Sequence, residues 1–382
     1  MWLTNLKLVL PERMLGRGSL RLEEGLIAEV IEGDVPEGLD CKGLTAIPGV
    51  LDMHGDMLER ELEPRPGTMF PVQLALNELD KRLVGNGVTT AYAAVSFADG
   101  PGLRSEQRAL ELIGAIHQHR PRLLTDLKVH ARFEVTTPHA APILMEKVAE
   151  DEIHLVSLMD HSPGQGQFRD METYVKYYVK WLGSSSEQVE TIARQRAEVA
   201  VQGPQAWQIG REVAEVARKQ GIPLASHDDD TAQKIDLMAD LGTSISEFPV
   251  TLEAACEAKK RGMWVVMGAP NALRGGSHSG NLSALEGIAA GVVDALAADY
   301  HPASLIQCAF RLANKGLLPL HESVKLVSQN VAAMCGLSDR GRLEPGLRAD
   351  VVLVEEGEIP RVRAAFRQGQ RVYWDGWLDY PN

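Results

Sequence analysis

The sequence predicts an α/β protein, a (β/α)8 barrel of the TIM type with a small β-sandwich module formed by both chain ends. Short apolar segments alternate with longer helical patterns through the middle of the chain, and both ends carry strand patterns. Polar residues follow several of the apolar segments. A length of 382 residues is sufficient for one large barrel and one smaller module.

Both chain ends predict strands. Residues 1–49 alternate apolar and polar residues over short stretches that Pro and Gly interrupt, and Asp350–Gly376 has the same pattern. Two strand-rich ends on either side of a long middle predict one module, built from residues 1–49 and 345–382.

The middle of the chain, residues 50–344, predicts eight βα units. Helical patterns such as Gln107–His117, Gln208–Lys219 and Leu252–Arg261 lie between most of the apolar segments. Eight such units close a barrel. One connection, at about 162–205, is unusually long and predicts a helical insertion over the barrel mouth. The candidate strands are Val50–His54, Val88–Val95, Leu127–Val135, Ile153–Met159, Ile222–His227, Ser244–Phe248, Trp264–Gly268 and Val293–Asp299.

Composition and charge exclude several classes of protein. A formal net charge of −13 disfavours nucleic-acid binding, and no apolar run approaches the ~18 residues that a membrane helix needs. The four cysteines form no CxxC pair, which disfavours a disulfide framework or thiolate metal site and favours a cytoplasmic location. A small anionic substrate would require metal ions and local arginines to overcome the overall charge.

Histidine and carboxylate residues lie at or just after the ends of five of the candidate strands, where the active sites of such barrels lie. These ligand types suit a divalent ion such as zinc, manganese or iron. His54 and Asp56 are two residues apart in an extended segment, so both side chains can reach one ion. The predicted metal ligands are His54, Asp56, Glu134, His161, His227 and Asp299.

Structural roles compete with this interpretation. A single histidine at a strand end is more often a structural residue than a ligand. Asp228–Asp230 precede a helical pattern and can cap that helix. His117 and His119 face different directions on a predicted helix and are interpreted as surface residues. Five strand ends that all carry such groups are much harder to explain by structure alone.

The segment AIPGVLDMHGD resembles the first-strand signature of the amidohydrolase superfamily. His161, His227 and Asp299 match its two later histidines and final aspartate in order, and Gly341–Glu355 resembles its return into the terminal module. The resemblance spans nearly the whole chain. It implies a metal-dependent hydrolase in which Asp299 holds the attacking water and accepts its proton.

Two positions differ from the common pattern of that superfamily. Asp56 replaces a histidine, and Glu134 stands where a carboxylated lysine usually bridges two metals, as a glutamate does in some relatives. Both residues retain metal-binding chemistry. The resemblance therefore implies one or two divalent ions per subunit, zinc first and manganese or iron as alternatives.

Several further strings are similar to one subgroup of the superfamily, the diphosphatases of the carbon–phosphorus lyase pathway. They are HGDMLERELEPRPGT, SLMDHSPGQGQF, ASHDDD, EFPVTLEAA, ADYHPASL and the most specific one, MGAPNALRGGSHSGN. This similarity implies a small phosphorylated ribose as substrate. The expected reaction converts α-D-ribose 1-methylphosphonate 5-triphosphate into the 5-phosphate and pyrophosphate.

A triphosphate substrate requires cationic groups besides the metal. Arginine donates two hydrogen bonds from a planar fork, and glycine allows backbone N–H groups to approach a phosphate. A flexible loop that caps the next helix is an equally good interpretation of the RGGSHSGN segment. The predicted phosphate contacts are Arg60, Arg65, Arg169, Arg274, Gly275, Gly276, Ser277 and His278.

Other functions share these ligands. An amidohydrolase that cleaves a C–N bond, as a cyclic amidase or a deaminase, would use the same metal site. A non-catalytic scaffold is disfavoured because the whole ligand set is present. A subunit that acts only within a phosphonate-processing complex is a third alternative. The resemblance and the frequency of two-fold oligomers favour a homodimer.

Overall fold

The computed structural model describes residues 1–98, 102–168, 170–182, 185–201, 206–277 and 280–379. Within these ranges the strands, in chain order, are β1 (Trp2–Val9), β2 (Met14–Glu23), β3 (Leu26–Glu32), β4 (Leu39–Asp40), β5 (Thr45–Pro48), β6 (Val50–Gly55), β7 (Val88–Phe97), β8 (Asp126–Glu134), β9 (Leu155–Met159), β10 (Leu224–His227), β11 (Ile245–Glu247), β12 (Trp264–Gly268), β13 (Ala295–Ala297), β14 (Val351–Glu355), β15 (Arg361–Arg367) and β16 (Gln370–Trp374).

Helices connect most of the middle strands. They are α1 (Met57–Leu62), α2 (Val72–Gly85), α3 (Glu106–His119), α4 (Ala141–Ala149), α5 (Met171–Leu182), α6 (Ser186–Val201), α7 (Ala206–Lys219), α8 (Ala232–Asp240), α9 (Leu252–Lys260), α10 (Ala269–Arg274), α11 (Ala284–Ala289), α12 (Ser304–Asn314), α13 (Leu320–Lys325) and α14 (Gln329–Met334). No described helix combines the length and apolar character that a membrane-spanning helix needs.

Strands β6 to β13 form one parallel sheet in which each strand pairs with the next along the chain. The two edge strands approach each other at their carboxyl ends, where Gly55 and Asp299 form a parallel bridge. There the N–H of Asp299 donates to the carbonyl of His54 at 2.9 Å. The predicted α/β barrel is therefore confirmed. Each predicted strand is present with small shifts, the last one being shorter than expected.

Burial explains why the sequences of these strands are mostly apolar. Every residue of β7 is buried, because one side of the strand faces the barrel interior and the other faces the helices. Helix α7 buries Val213 and Ala217 and turns its charged residues outwards, as its periodicity predicts. The exposed His117 in α3 agrees with the prediction of a surface residue.

Both chain ends contribute to a second sheet, in the order β16-β15-β14-β5-β1-β2-β3, with β4 paired to β1. Ile27 of β3 and Phe366 of β15 lie far apart in this order, yet both belong to one buried cluster. The N–H of Ile27 also donates to the carbonyl of Leu347 at 2.8 Å. The sheet therefore curls round a single apolar core, the arrangement expected of a sandwich-like module made from both termini.

The long connection after β9 contains α5 and α6, in agreement with the predicted helical insertion. Phe168, Tyr174, Val189 and Ala193 form a small buried cluster of their own within it. The ring centroid of Phe168 lies 6.4 Å from that of His161, which follows β9 at the carboxyl end of the barrel. The insertion thus packs at the barrel mouth.

Candidate active site

His54, Asp56 and Asp299 meet where the first and last barrel strands approach each other. His54 lies in β6, Asp56 precedes α1, and Asp299 follows β13 with a left-handed backbone φ of +55°. One ligand atom from each lies within 4.8 Å of the others. Asp56 Oδ1 is 3.4 Å from His54 Nε2, so the two side chains do reach the same point, as their spacing predicts. These three residues, the first ligand group, can hold one divalent cation.

His161 and His227 meet at the ends of β9 and β10, together with Asp228. Their ligand atoms also lie within 4.8 Å of one another. The rings of His54 and His227 stack with their centroids 5.6 Å apart, so this second ligand group lies next to the first. The structure therefore gathers five of the six predicted ligands into two adjacent groups of three.

Glu247, at the end of β11, connects the two groups. Its buried carboxylate contacts His54 Nδ1 at 2.7 Å and His227 Nδ1 at 2.8 Å, which leaves Nε2 of each ring for a cation. Burial alone would raise the pKa of Glu247, but the charge and hydrogen bonds of these histidines hold it well below its usual value. Glu247 was not among the predicted ligands, although a carboxylate near the end of a predicted buried strand was the available signal.

Glu134 contacts His161 and belongs to neither ligand group. Its Oε2 is 2.7 Å from His161 Nδ1, and its Oε1 accepts a hydrogen bond from the backbone N–H of His161 at 3.0 Å. In this position the carboxylate orients the His161 ring so that its Nε2 faces Asp228, another member of the second ligand group. A bridging role for Glu134 between two metals remains a prediction.

Two arginines that the sequence analysis missed neutralise the carboxylates. Arg132 Nη1 donates to both oxygens of Asp56 at 3.1 Å, and its Nη2 lies 3.3 Å from His227 Nε2. Arg104 pairs with Glu59 and approaches Asp56 at 3.8 Å. Burial would raise the pKa of Asp56, but Arg132 in particular holds it well below the usual range. Because Arg132 lies two residues before Glu134 in an extended strand, both face one side, which was the missed signal.

Asp299 has the properties of a proton acceptor. Burial and then the charge of Asp56 raise the pKa of Asp299 to about 6. The carboxylate is therefore more basic than an ordinary aspartate and still largely ionised at neutral pH, as a general base should be.

Arg60 and Arg274, two of the predicted phosphate contacts, converge on the residue after Asp299. The guanidinium of Arg60 lies 4.8 Å from the ring centroid of Tyr300. Arg274 Nη1 donates to Tyr300 Oη at 3.0 Å. Both cationic groups are thus held beside Tyr300, next to Asp299 of the first ligand group.

The other predicted phosphate contacts are less well placed. The N–H groups of Gly275 and Gly276 both donate to the carbonyl of Asn271 at 3.1 Å, because Gly275 ends α10 with a φ of +84°. A phosphate would have to displace these bonds. Arg65 lies in an exposed turn, where its carbonyl accepts from the N–H of Thr68 at 3.0 Å.

The described part of the chain does not test three of the predicted phosphate contacts. Arg169 and His278 lie outside the described residues. Ser277 follows the two glycines and lies directly before the undescribed residue 278. All three remain predictions.

The expected helix cap is wrong. Helix α8 is capped by Thr231, whose Oγ1 accepts from the N–H of Lys234 at 3.2 Å, so Asp228–Asp230 are free for other contacts. Asp228 joins the second ligand group. Asp229 accepts a hydrogen bond from Ser246 Oγ at 2.6 Å, and Asp230 accepts one from the N–H of Gly166 at 2.9 Å.

The donor atoms present suit a divalent cation. Carboxylates engage the Nδ1 atoms of three histidines, and the buried Oδ2 of Asp228 has no hydrogen-bond partner among the described residues. Burial would lower the pKa of His54, but the charge of Glu247 and hydrogen bonds outweigh it and raise this pKa to about 10. A cation at His54 therefore competes with a proton, and binding should weaken in acid.

Helix α5 covers this site. Tyr174 is buried against Phe168, with ring centroids 5.1 Å apart, so its ring packs within the insertion. Tyr177 is partly exposed, and its ring centroid lies 5.3 Å from that of Phe168. The insertion thus brings at least one aromatic side chain to the barrel mouth.

Comparisons with known proteins agree with this architecture. A family model described as "Amidohydrolase family" matches residues 139–373. The α-D-ribose 1-methylphosphonate 5-triphosphate diphosphatase of Escherichia coli is 37% identical, over 98% of this chain and 100% of that protein. A dihydroorotase of Elusimicrobium minutum is 25% identical, over 89% of this chain and 84% of that protein.

Solved structures support the fold alone. The N-acetyl-D-glucosamine-6-phosphate deacetylase of Mycobacterium smegmatis superposes with a TM-score of 0.63 at 16% identity, covering 98% of this chain and 100% of that chain. The barrel, the histidine and carboxylate groups at its carboxyl end, the family model and the full-length relative agree. The chain belongs to the amidohydrolase family.

Proposed function

We propose that the protein is a metal-dependent hydrolase that converts α-D-ribose 1-methylphosphonate 5-triphosphate into the 5-phosphate and pyrophosphate. The observation that carries this proposal is the convergence of Arg60 and Arg274 on Tyr300, beside Asp299. Two arginines at the rim of a metal-binding site suit a polyanionic substrate in a protein whose net charge is −13. The full-length relative in Escherichia coli, named for this activity, supports the same substrate.

The two ligand groups would hold a divalent cation, which would supply Lewis acidity and lower the pKa of water. Asp299 accepts a proton from the attacking water. The water oxygen forms a bond to the α-phosphorus, and the bond from that phosphorus to the bridging oxygen of the β-phosphate breaks. Pyrophosphate leaves with the bridging oxygen, and the ribosyl 5-phosphate remains.

The arginines have two roles in this proposal. Arg132 and Arg104 offset the charge of Asp56, so that carboxylates and a triphosphate can share one site. Arg60 and Arg274 hold the phosphate chain through charge and hydrogen bonds, since their guanidinium groups lie at the rim. Zinc is the expected ion, with manganese or iron as alternatives. A cytoplasmic homodimer remains a prediction.

The proposal is tested with purified protein, elemental analysis and the ribosyl methylphosphonate triphosphate in water enriched in oxygen-18. We expect a bound divalent metal, release of pyrophosphate, and the label in the ribosyl phosphate. Label in the pyrophosphate would instead place the attack at the β-phosphorus. A metal-loaded protein that releases no pyrophosphate would contradict the proposal.

Hydrolysis of a C–N bond is the second candidate. The dihydroorotase relative supports it, and both ligand groups would serve an amide as well as a phosphoanhydride. Ring opening of cyclic amides, or ammonia release from nucleobases, without pyrophosphate release would favour this function. A purified protein without metal and without either activity would favour a scaffold, and activity that appears only with partner proteins would favour a complex subunit.

A further inference from the structure

We propose that Asp228 is a metal ligand and that it completes, with His161 and His227, a three-ligand cation site separate from the first ligand group. The inference deepens the proposed function and rests on its metal dependence, but it does not depend on the identity of the substrate. Asp228 was expected to cap a helix, and the structure gives that position to Thr231.

The spacing of the three donor atoms fits a cation between them. Asp228 Oδ2 lies 3.7 Å from His161 Nε2 and 3.7 Å from His227 Nε2. Both distances exceed those of normal hydrogen bonds. Ligand atoms at 2.0–2.1 Å from a tetrahedral zinc ion are about 3.4 Å apart, which is close to the observed spacing.

One oxygen of the Asp228 carboxylate has no hydrogen-bond donor among the described residues. Its Oδ2 is inaccessible and accepts no hydrogen bond within the described part of the chain, and only 11% of the side chain is exposed. A buried carboxylate oxygen without a hydrogen-bond donor is unfavourable, and a bound cation would satisfy it. Asp56 differs in this respect, because both of its oxygens accept hydrogen bonds from Arg132.

The two histidines are oriented to present Nε2 to Asp228. Glu134 contacts Nδ1 of His161 and Glu247 contacts Nδ1 of His227, the arrangement by which carboxylates orient metal-binding imidazoles. The contact of Arg132 Nη2 with His227 Nε2 is long, at 3.3 Å, and a cation at this position would replace it.

The backbone of Asp228 is also held in an unusual conformation. Its φ is +54°, in the left-handed region, and its N–H donates to the carbonyl of Glu247 at 3.0 Å. A side chain added at Gly166 would lie 3.1 Å from the carbonyl oxygen of Asp228, so the loop after β9 packs closely on this residue. Such strain is retained where surrounding structure fixes a functional side chain.

The first experiment measures zinc binding to the full-length protein by equilibrium dialysis and elemental analysis. We expect Asp228→Asn to lose one zinc ion per subunit, or to bind it at least ten-fold more weakly, while circular dichroism shows a folded protein. Asp230→Asn is the matched control and should bind zinc as the unmodified protein does, because asparagine can still accept from Gly166. Unchanged zinc binding by a folded Asp228→Asn variant would overturn the proposal.

A second variant gives a positive signal and also decides the matter if Asp228→Asn does not fold. Asp228→Cys loaded with Co²⁺ should show an intense thiolate-to-cobalt charge-transfer band, since a thiolate is a good ligand for such ions. The unmodified protein and Asp230→Cys should lack this band, and its absence from Asp228→Cys would contradict the assignment. Neither experiment contains substrate, so failure here and failure of the pyrophosphate assay are distinguishable.

Discussion

At the scale of single residues, Asp299 combines two tasks in one position. Its backbone bonds join the last barrel strand to the first, through His54 and Asp56, while its carboxylate belongs to the first ligand group. A substitution that keeps the size of this side chain should therefore separate the chemical task from the structural one.

We predict that Asp299→Asn lowers the turnover number about 10²- to 10⁴-fold, because the proton acceptor is lost while the backbone bonds remain. The measurement is pyrophosphate release at saturating substrate, together with metal content. The protein should stay folded and keep its metal content near normal. Turnover equal to that of the unmodified protein would show that Asp299 is not the base.

Arg274 should affect binding of the phosphate chain more than the chemical step. We predict that Arg274→Ala raises KM for the triphosphate by about 10- to 100-fold, the effect of losing a hydrogen bond between charged groups. Arg13→Ala is a suitable control, because Arg13 is exposed in the terminal module. An unchanged KM in Arg274→Ala would remove this arginine from the proposed substrate site.

At the scale of elements, β11 supplies the carboxylate that aligns histidines from β6 and β10. We predict that Glu247→Gln weakens divalent-metal binding about 10- to 100-fold, because one amide cannot accept a hydrogen bond from both rings. Competition with a chromogenic chelator measures this affinity. Glu253→Gln, at an exposed position in α9, should have no effect, and equal affinities of the two variants would refute the role of Glu247.

A substitution in the insertion should change KM without lowering the stability of the barrel. Phe168 belongs to a small buried cluster that is separate from the main core. Phe168→Ala should therefore raise KM about tenfold with little change in Tm. Phe366→Ala, in the core of the terminal module, should lower Tm and leave KM nearly unchanged, since it costs about 3–5 kcal/mol of unfolding free energy. Kinetics and thermal melting of both variants test this contrast, which equal changes in KM would contradict.

The elements were largely predictable because each barrel strand combines a short apolar run with a polar end. The strand ends also revealed His54, His161 and Asp299, since histidine and carboxylate side chains are unusual there. Arg132 and Glu247 were recognisable as polar residues near strand ends, but their roles were not. Their roles depend on which strands become neighbours and on which ring nitrogen each contacts, and one sequence does not contain that information.

At the scale of the whole molecule, Asp126 joins the barrel to the segment that leads back into the terminal module. It lies at the start of β8 and accepts from Arg120 at 2.9 Å and from Arg340 at 2.7 Å, and its side chain is 13% exposed. Burial would raise the pKa of Asp126, but neighbouring Lys128, Arg340 and Arg120 lower it.

We predict that Asp126→Asn lowers the unfolding free energy by about 3 kcal/mol at neutral pH, because Arg120 and Arg340 each lose a charged hydrogen-bond partner. A lowered pKa means that the ionised carboxylate stabilises the folded state above its ordinary pKa of about 4 and loses this effect as the pH falls below that value. Denaturant unfolding at several pH values should show the difference between variant and parent shrink in acid. Asp236→Asn, which breaks an exposed pair with Arg261, should cost less than about 1 kcal/mol.

The sheet shared by both chain ends sets an order of events during synthesis. Strand β5 pairs with β14, so that Pro48 lies opposite Val351, and almost the whole barrel is translated between them. Until the ribosome has released β14, the paired edge of β5 has no native partner. The nascent protein therefore exposes a strand edge for most of its translation, and a chaperone that shields such edges would act on it at this stage.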